Sequence, residues 1–434
     1  MNFDPLLIFY ALPLAVVWGI YVGIRKRAEW RSISKRRAAA EAGLAEPPTL
    51  HPEIDASQCI GCGACVRACP EGDILGLING KAVLVEPSEC IGHGQCRVAC
   101  PADAIRLVFG TERRGVDIPH VSSDFQTNVP GIFIAGELGG MGLIRNAIEQ
   151  GSKAIDSVRA LGGLGRPNVY DVVIVGGGPA GFAASLAAMQ HRLRSVTIEQ
   201  ESFGGTVAHY PRGKLVMTAP ATLPLIGKVK FRQVSKEKLL EFWHSAARRT
   251  GLRINYGERV ESVKPIGSNF EVSTTRGRYP TRSVLLAIGR RGTPRQLGVP
   301  GEHLPKVVYR LTDPQQYRGK HVLVVGGGDS ALEAAASVAA EPGTTVTLSH
   351  RNEGFSRAKM KNRENVAAAR RSGRLKMLMQ SEVKRIGPKD VEIVYKGKRT
   401  AIRNDAVIIC AGGILPTPFL KSIGIEVETK YGTA

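Results

Sequence analysis

The sequence predicts an α/β protein with two three-layer units around parallel sheets, a small α+β unit rich in cysteine, and one apolar N-terminal helix. Three observations predict this architecture. Two buried strands, starting at Asp171 and at His321, each lead into a glycine-rich turn and an alanine-rich helix. Seven of the eight cysteines lie between Cys59 and Cys100, and residues 5–24 carry no charge. A strand, glycine turn and helix in this order are typical of a Rossmann-like domain.

The composition is that of a folded protein with several domains and a strong positive charge. Of the 434 residues, 43% are hydrophobic, which is enough for two or three domains with apolar cores. The net charge of +21 favours an anionic membrane surface or acidic protein partners. Aromatic residues make up only 6% of the chain and no nucleic-acid motif accompanies the charge, so we predict no nucleic-acid partner.

The uncharged stretch 5–24 is long enough to cross a bilayer as a helix. The next thirteen residues, 25–37, contain seven basic residues and one acidic residue, and the positive-inside rule keeps such a flank in the cytoplasm. No basic segment precedes the apolar stretch, which disfavours a cleaved signal peptide. We therefore predict a single-pass cell-membrane anchor with a basic flank over 1–30, a linker over 31–54, and the remaining domains in the cytoplasm.

The cysteines follow the spacing of iron–sulfur ligands. In "CIGCGACVRACP" four thiols are spaced Cys-x2-Cys-x2-Cys-x3-Cys-Pro, whereas structural zinc sites usually separate two Cys-x2-Cys pairs. A second segment, "CIGHGQCRVACP", repeats this spacing with His93 in place of one cysteine. The predicted metal-binding residues are Cys59, Cys62, Cys65, Cys69, Cys90, His93, Cys96 and Cys100.

The repeated cysteine segments resemble the two-cluster bacterial ferredoxin domain, here over residues 55–110. The resemblance implies crossed ligand sets: Cys59, Cys62, Cys65 and Cys100 for a [4Fe-4S] cluster, and Cys69, Cys90, Cys96 and His93 for a second cluster. Histidine is a competent iron ligand that raises the reduction potential, so the second cluster is either a His-ligated [4Fe-4S] or a [3Fe-4S] with His93 nearby but unbound. A metal-free second site is the least favoured alternative.

Two glycine turns predict two dinucleotide sites. The first follows a buried strand and has an acid, Glu199, at the end of the next strand, where it can accept hydrogen bonds from ribose hydroxyls. Its predicted binding residues are Gly176, Gly178, Pro179, Ala180, Gly181 and Glu199. In the second unit the acid is missing and basic residues follow the strand, which favours the 2′-phosphate of NADPH over NADH. The predicted residues there are Gly326, Gly328, Asp329, Ser330, His350, Arg351 and Arg357.

Longer landmarks resemble those of thioredoxin-reductase-like flavoproteins, a group that includes ferredoxin–NADP reductases and bacillithiol-type disulfide reductases. They are "DVVIVGGGPAG", "SFGGTVAHYP", "LLAIGRRGTPRQLGVPGE", "VLVVGGGDSALEAA" and "AVIICAGGILPTPFL". The resemblance implies an FAD-binding domain over 166–290, with Gly205 and Thr206 near the flavin ring, and an NAD(P)-binding domain over 291–408. It also implies a return to the FAD domain over 409–434. Relatives of this fold are commonly dimers, so a homodimer is implied as well.

The chain departs from this family pattern in two ways. The Cys-x-x-Cys of thioredoxin reductases is absent, and Cys410 alone cannot form an internal disulfide, so we predict no thioredoxin-type disulfide reduction. The segment that normally closes over the FAD at the C-terminus instead precedes the first strand, as "VPGIFIAGELGG" and the following helix. We interpret residues 111–165 as a circularly permuted closing segment in which Gly136 and Glu137 bind the cofactor.

Together these features predict a membrane-anchored flavo-iron–sulfur oxidoreductase. It would pass electrons between NAD(P)H, FAD, the two clusters and a ferredoxin, quinone or protein acceptor. No catalytic residue beyond the cofactors is required, since the cofactors carry the chemistry. His209 and Tyr210 are candidates for tuning the flavin or delivering protons, although such residues more often serve packing. Two alternatives remain: an electron-transfer subunit of a larger membrane complex, and a non-catalytic redox sensor.

Overall fold

The structure is a computed structural model that describes residues 5–48, 50–140, 142–217, 220–231, 233–290, 292–355 and 358–432. The side chains of residues 5–8, 11 and 217 lie outside this description. The chain divides into two compact units. One comprises residues 1–116 with 430–434, and the other comprises residues 117–429.

The first unit is a small α+β domain with a long N-terminal helix. Two antiparallel strand pairs and two short helices surround the cysteines. The turn of one pair is Asn79-Gly80, with φ of 51° and 70°, as a two-residue hairpin connection of the type I′ kind requires. The helices are Pro5–Glu41, Ala64–Ala68 and Gln95–Val98, and the strands are His51–Ile54, Leu75–Ile78, Lys81–Leu84 and Ile105–Val108.

The N-terminal helix differs from its prediction. Within the part of the chain that the structure describes, no helix is both long and apolar enough to cross a bilayer, so the predicted transmembrane span is not supported. The helix does not end with the apolar stretch but continues to Glu41, through the first part of the predicted linker. Lys35 holds it to the cysteine domain by ion pairs of 3.1 Å to both Asp73 and Glu86. The strand His51–Ile54, also assigned to the linker, pairs with Ile105–Val108 and belongs to the cysteine domain.

The second unit begins with a three-layer domain around a five-stranded parallel sheet. Successive strand residues point to opposite faces: Val172 and Ile174 pack against helices, and Val173 and Val175 pack against an antiparallel three-stranded sheet. In sheet order the parallel strands are Asn255–Tyr256, Ser195–Glu199, Val172–Val175, Val284–Leu286 and Ile132–Ile134. The covering helices are Ile144–Arg159 and Pro179–Gln190, with Lys236–Thr250 nearby, and the covering strands are Val260–Ile266, Asn269–Thr274 and Arg278–Thr281.

From residue 117 onward, the early segment lies in this second unit. Ile132–Ile134 pairs in parallel with Val284–Leu286 at the sheet edge. The helix that follows packs closely on the first Rossmann helix, because a Cβ at Gly151 would lie 2.1 Å from the Ala180 carbonyl oxygen. Ala154 and Ile155 of this helix share a core with Val172 and Ile174 of the sheet.

The nicotinamide half repeats the three-layer plan. Val322 and Val324 pack against helices, whereas Leu323 packs against an antiparallel meander. The parallel strands in sheet order are Val307–Val308, Ala406–Ile409, His321–Val325, Thr345–His350 and Leu375–Met379. The helices are Asp329–Ala339 and Met360–Arg371, and the meander strands are Ser381–Ile386, Asp390–Tyr395 and Lys398–Arg403.

Short elements complete the second unit. Residues after 409 return to the first domain, where Leu420, Ile423 and Ile425 join the core beside Val173. Both predicted Rossmann-like domains are therefore confirmed. The remaining pairs are Thr293–Pro294 with Gly413–Ile414, Val116–Pro119 with Val427–Lys430, Leu215–Met217 with Gln233–Ser235, and Ala221–Leu223 with Gly227–Val229, and the last helix is Thr417–Ser422.

Candidate functional site

The two cysteine loops share one backbone conformation. In the first loop Gly61 and Gly63 have φ of 69°, and in the second Gly92 and Gly94 have φ of 72° and 78°. Only glycine adopts this left-handed region without strain, so the glycines between the predicted ligands let each loop bend around a compact group of atoms. The pseudo-repeat seen in the sequence is thus also a repeat in structure.

The first cavity of the cysteine domain, about 320 Å³, brings together residues from both sequence motifs. Cys59, Cys62 and Cys65 come from the first motif, and Cys100 comes from the end of the second. The backbone N–H of Ala82 donates to Cys59 Sγ at 3.4 Å and that of Ala104 donates to Cys100 Sγ at 3.3 Å. Such donors stabilise thiolates and tune cluster potentials. The arrangement matches the ligand set implied for the [4Fe-4S] cluster.

The second cavity, also about 320 Å³, is lined by Cys69, Cys90, His93 and Cys96. Cys69 belongs to the first motif, so the two sets are crossed here as well. His93 Nε2 lies 3.8 Å from Cys69 Sγ. His93 Nδ1 accepts a hydrogen bond of 3.2 Å from the backbone N–H of Gln95, the first residue of a short helix.

The ligand groups are buried enough for their proton affinities to change. Burial raises the pKa of the Cys65 and Cys96 thiols to about 11 and also raises the pKa of Cys69. Iron binding therefore has to displace protons from these thiols. Burial lowers the pKa of His93, so its ring is neutral at neutral pH.

Over the described part of the chain, no group of three or more His, Cys, Asp or Glu side chains is arranged to hold a single metal ion. Each thiolate of a cluster binds a different iron, so the sulfur atoms surround a volume instead of converging on one point.

The first Rossmann-like domain carries a cleft of about 1840 Å³. Its walls come from the glycine turn, the segment after Phe203 and the early closing segment, which the sheet brings together from distant parts of the chain. The predicted residues that line it are Gly136, Glu137, Gly176, Gly178, Pro179, Ala180, Glu199, Gly205 and Thr206.

The glycines of this cleft leave room for a pyrophosphate. Gly176 has φ of 111°, and a Cβ there would lie 2.5 Å from the Ala287 carbonyl oxygen. Gly178 has ordinary dihedrals, and among the described residues the heavy atom nearest to its Cβ position, apart from its chain neighbours, is Gly205 Cα at 3.8 Å. Gly181 does not line the cleft but packs beneath the turn. A Cβ at Gly181 would lie 1.8 Å from the Gly176 carbonyl oxygen. A helix N-terminus approached through Gly178 suits an anionic group, so these residues fit a dinucleotide.

Glu199 is buried at the end of its strand, with 7% of the residue exposed. Its Oε2 accepts from the Gly177 N–H at 2.6 Å and its Oε1 accepts from the Glu201 N–H at 2.9 Å. These bonds fix the carboxylate beside the glycine turn, where the ribose of a bound dinucleotide is expected. Glu137 lines the same cleft from a short 3₁₀ turn, Glu137–Gly139.

The second glycine turn is built similarly, but its predicted residues differ in role. The His350 ring packs on the turn, 2.1 Å from a Cβ built at Gly327. Burial lowers the pKa of His350, so it supplies little positive charge at neutral pH. Asp329 Oδ1 accepts from the Lys359 N–H at 2.8 Å and from Asn362 Nδ2 at 2.7 Å, which ties the turn to the next helix.

The remaining predicted residues of this site are placed as follows. The dihedral φ of Gly326 is 144°, Gly328 has open space at its Cβ position, and Ser330 and Arg351 are exposed. Arg357 lies outside the described residues.

Two cleft residues, Glu201 and Arg310, were not considered from the sequence, whereas their neighbour His209 was a candidate for tuning the flavin or delivering protons. Glu201 pairs with His209 Nε2 at 2.6 Å and with Arg310 at 3.1 Å, and all three line the cleft. The sequence holds a weak signal for Glu201, which lies two residues after Glu199. It holds none for Arg310, which comes from the other Rossmann-like domain.

Comparisons with known proteins agree with both units. Residues 173–433 match the family model described as pyridine nucleotide-disulphide oxidoreductase, and residues 51–101 match that of a 4Fe-4S dicluster domain. A ferredoxin–NADP reductase of Ignicoccus hospitalis is 31% identical over 268 residues, which are 60% of this chain and 83% of that protein. A bacilliredoxin reductase of Bacillus subtilis is 28% identical over 268 residues, covering 60% of this chain and 82% of that protein.

A solved structure gives the same result. The bacillithiol disulfide reductase of Staphylococcus aureus superposes with a TM-score of 0.51 at 25% identity, covering 61% of this chain and 84% of that one. These matches support FAD, NAD(P)H and a [4Fe-4S] cluster as the cofactors.

Proposed function

Because the chain belongs to the pyridine nucleotide-disulphide oxidoreductase family, we propose that it passes electrons from NAD(P)H through FAD and two iron–sulfur clusters to a separate acceptor. It is a flavin-dependent oxidoreductase of the ferredoxin–NADP reductase and thioredoxin reductase type, joined to a 4Fe-4S dicluster domain. The route through two clusters, the acceptor and the location in the cell are our proposal.

The observation that carries the proposal is the pairing of a dinucleotide cleft with two thiol-lined cavities in one chain. Beyond Cys100 the sequence contains only Cys410, so this chain offers no dithiol to which a flavin hydride equivalent could pass. Similarity to a bacilliredoxin reductase makes a disulfide substrate the second candidate. We propose that the clusters, not a disulfide, receive the electrons.

When bound, FAD takes two electrons together from NAD(P)H and releases them singly, which matches the one-electron capacity of clusters. The protein holds the cofactor in place. Gly178 lets the pyrophosphate approach the helix N-terminus, and Glu199 and Glu137 are positioned to accept hydrogen bonds from hydroxyl groups. We propose that the permutation places the closing segment directly after the cluster domain in sequence, which shortens the connection between the two redox units.

We propose that the first cluster exchanges electrons with the acceptor, because its loop is the more exposed of the two. Ile60 is 69% exposed and Cys62 is exposed, whereas Ile91 and His93 at the matching positions of the second loop are only partly exposed. Leu50 covers the second loop, since a Cβ at Gly92 would lie 2.4 Å from its carbonyl oxygen. Electron transfer to a partner favours the cluster that a partner can approach.

The N-terminal helix supports this assignment. Lys35 of this helix pairs with Asp73. Nearer the N-terminus of the helix, Glu29 accepts a hydrogen bond from the Asn79 N–H in the hairpin turn. That turn abuts the first cluster loop, where a Cβ at Gly61 would lie 2.0 Å from the Gly80 carbonyl oxygen. The helix therefore leaves the domain on the side of the first cluster, and at 1.5 Å per residue Ile24 lies only about 7.5 Å beyond Glu29.

We propose that this apolar part of the helix associates with the cell membrane, with the domains on the cytoplasmic side. Exposed large apolar side chains cover it on all sides, among them Phe9, Leu14 and Trp18, each about 70% exposed. A quinone or a protein partner in the membrane, including a subunit of a larger membrane complex, would then approach the first cluster. The full chain is expected to sediment with membrane vesicles, whereas a chain starting at residue 25 is expected in the soluble fraction.

The steady-state assay of the anaerobically purified protein tests the proposed function. We expect oxidation of NAD(P)H with a ferredoxin, a quinone analogue or a dye as one-electron acceptor, and much slower turnover with a disulfide. Because the strand Thr345–His350 ends without an acid and Arg351 is exposed, kcat/KM should favour NADPH over NADH by about tenfold or more. No turnover in protein fully loaded with flavin and iron would overturn the proposal and support a redox sensor.

For the second cavity we propose a [3Fe-4S] cluster held by Cys69, Cys90 and Cys96, with His93 as a hydrogen-bond donor. A neutral imidazole has one lone pair, and His93 Nδ1 uses it to accept the Gln95 N–H. The proton then lies on Nε2, the atom that faces Cys69. A protonated nitrogen cannot bind iron, but it can donate to a thiolate or cluster sulfide and raise the potential.

Substitutions of His93 test this assignment. His93→Ala is expected to keep the three-iron signal in electron paramagnetic resonance of the oxidised protein, at a lower midpoint potential, because a hydrogen bond to sulfur is lost. His93→Cys supplies a fourth thiolate and is expected to add about one iron per protein. Loss of the second cluster in His93→Ala, from a wild type that shows no three-iron signal, would instead identify His93 as a ligand.

A further inference from the structure

Electron transfer from NAD(P)H to clusters leaves a proton behind. A hydride consists of two electrons and one proton, whereas an iron–sulfur cluster takes up only electrons. For each NAD(P)H oxidised, one proton must therefore leave the flavin cleft. This inference rests on the proposed function, because transfer of the whole hydride equivalent to a disulfide would have a different proton balance.

The cleft contains a connected set of charged groups that involves both Rossmann-like domains. Glu201 Oε2 lies 2.6 Å from His209 Nε2, and the two guanidinium nitrogens of Arg310 donate to the two oxygens of Glu201 at 3.1 Å each. The side chains are 19% exposed for His209, 27% for Arg310 and 39% for Glu201. Exposure thus increases from the histidine to the carboxylate.

Local structure fixes each member of this set. Glu201 follows the strand Ser195–Glu199, and its N–H is held by the Glu199 carboxylate. His209 ends the 3₁₀ turn Gly205–His209, whose first residue packs against Gly178. Arg310 lies two residues after the strand Val307–Val308 of the nicotinamide half.

We propose that His209 accepts the proton released in the flavin cleft and that Glu201 and Arg310 position it and set its proton affinity. The hydride leaves NAD(P)H, its two electrons pass to the clusters one at a time, and its proton passes to His209 and then to water beside Glu201. In sum, NAD(P)H and two oxidised one-electron acceptors give NAD(P)⁺, two reduced acceptors and one proton. The acceptor named in the proposed function is the oxidant.

The surrounding charges are suited to a reversible proton carrier. A carboxylate beside an imidazole favours the protonated ring, and a guanidinium on the same carboxylate weakens that effect. Lys214 lies 5.4 Å from the Tyr210 ring centroid, and Lys236 Nζ donates to the Tyr210 carbonyl oxygen, so two further cations contact the residue that follows His209. Because Arg310 belongs to the nicotinamide half, the contact also links the proton affinity of His209 to the position of that half.

His209→Gln tests the proposal, with His244→Gln as its matched control. His244 is also a histidine of this domain, but it packs against the Phe203 ring and does not line the cleft. In His209→Gln we expect anaerobic flavin reduction by NAD(P)H to stay within about twofold of wild type. Reoxidation by ferricyanide should slow by about tenfold or more, with a larger solvent isotope effect, and added imidazole should restore part of the rate.

An equilibrium measurement complements the rates. The wild-type flavin midpoint potential, titrated from pH 5 to 9, should change slope where His209 titrates, and His209→Gln should lack that change. Glu201→Gln keeps the imidazole but removes its charged partner, so its slope change should move to lower pH. Flavin content of each variant shows whether it has folded.

The outcomes separate the two proposals. If wild-type flavin is not reduced by NAD(P)H or not reoxidised by one-electron acceptors, the proposed function fails. If His209→Gln matches wild type in reoxidation rate, isotope effect and potential, without any response to imidazole, the proton role of His209 is refuted and the proposed function stands.

Discussion

Gly178→Val is expected to fold but to lose its flavin. A valine at this position meets no backbone obstacle, because only Gly205 Cα lies within 4 Å of the new Cβ and φ is an ordinary −77°. Its branched side chain instead fills the space through which a pyrophosphate reaches the helix N-terminus. We expect flavin content, measured by absorbance after release from purified protein, to fall below about one tenth of wild type, a loss of more than about 1.4 kcal/mol in binding. The iron content should not change.

The second glycine turn provides a matched control. Gly328 also precedes a helix with φ of −95°, and no atom lies within 4 Å of its Cβ position. Gly328→Val should therefore keep its flavin but lose about a hundredfold in kcat/KM for NAD(P)H, equivalent to about 2.7 kcal/mol. If Gly178→Val kept its flavin while Gly328→Val lost it, the assignment of the two cofactors to the two turns would have to be reversed.

Cys100→Ser is expected to remove the first cluster, although Cys100 belongs to the second sequence motif. In the structure Cys100 lies with Cys59, Cys62 and Cys65, and serine is a poor ligand for cluster iron. Its iron content should fall by about half, and its paramagnetic resonance spectrum should match that of Cys62→Ser.

The reciprocal variant is Cys69→Ser, which should remove the signal of the second cluster and leave that of the first. The double variant Cys62→Ser with Cys100→Ser should lose no more iron than either single variant, because both residues serve one cluster. Loss of the second cluster in Cys100→Ser would show that each motif binds its own cluster and would contradict the crossed arrangement.

Local chemistry explains why much of this site could be predicted. The cysteine spacing and the positive-φ glycines between the ligands restrict the backbone within a few residues, as do the glycine turns that follow buried strands. A continuous apolar run such as Val172–Val175 places apolar side chains on both faces of a strand and so predicts a sheet that is covered on both faces. These features depend on residues that are close in the sequence, so they can be predicted without a structure.

Contacts between distant residues account for what the sequence did not show. The helix that begins at Pro5 runs on to Glu41, and its Lys35 meets Asp73 and Glu86, which lie far along the sequence. Asp329, predicted to bind the coenzyme, is engaged by Lys359 and Asn362. His350, predicted to supply a positive charge, is buried against the glycine turn and loses proton affinity there.

By itself the sequence determined the fold class, the two dinucleotide units, and a cluster domain with one histidine among seven cysteines. Each is encoded in spacing or periodicity over a few residues, where covalent geometry and burial leave few alternatives. Only the tertiary structure decided that Gln95 occupies one nitrogen of His93, and that Glu201 joins His209 to Arg310 across two domains. Those contacts depend on where packed elements bring side chains to within hydrogen-bond distance, and that position is set by the whole core rather than by any local pattern.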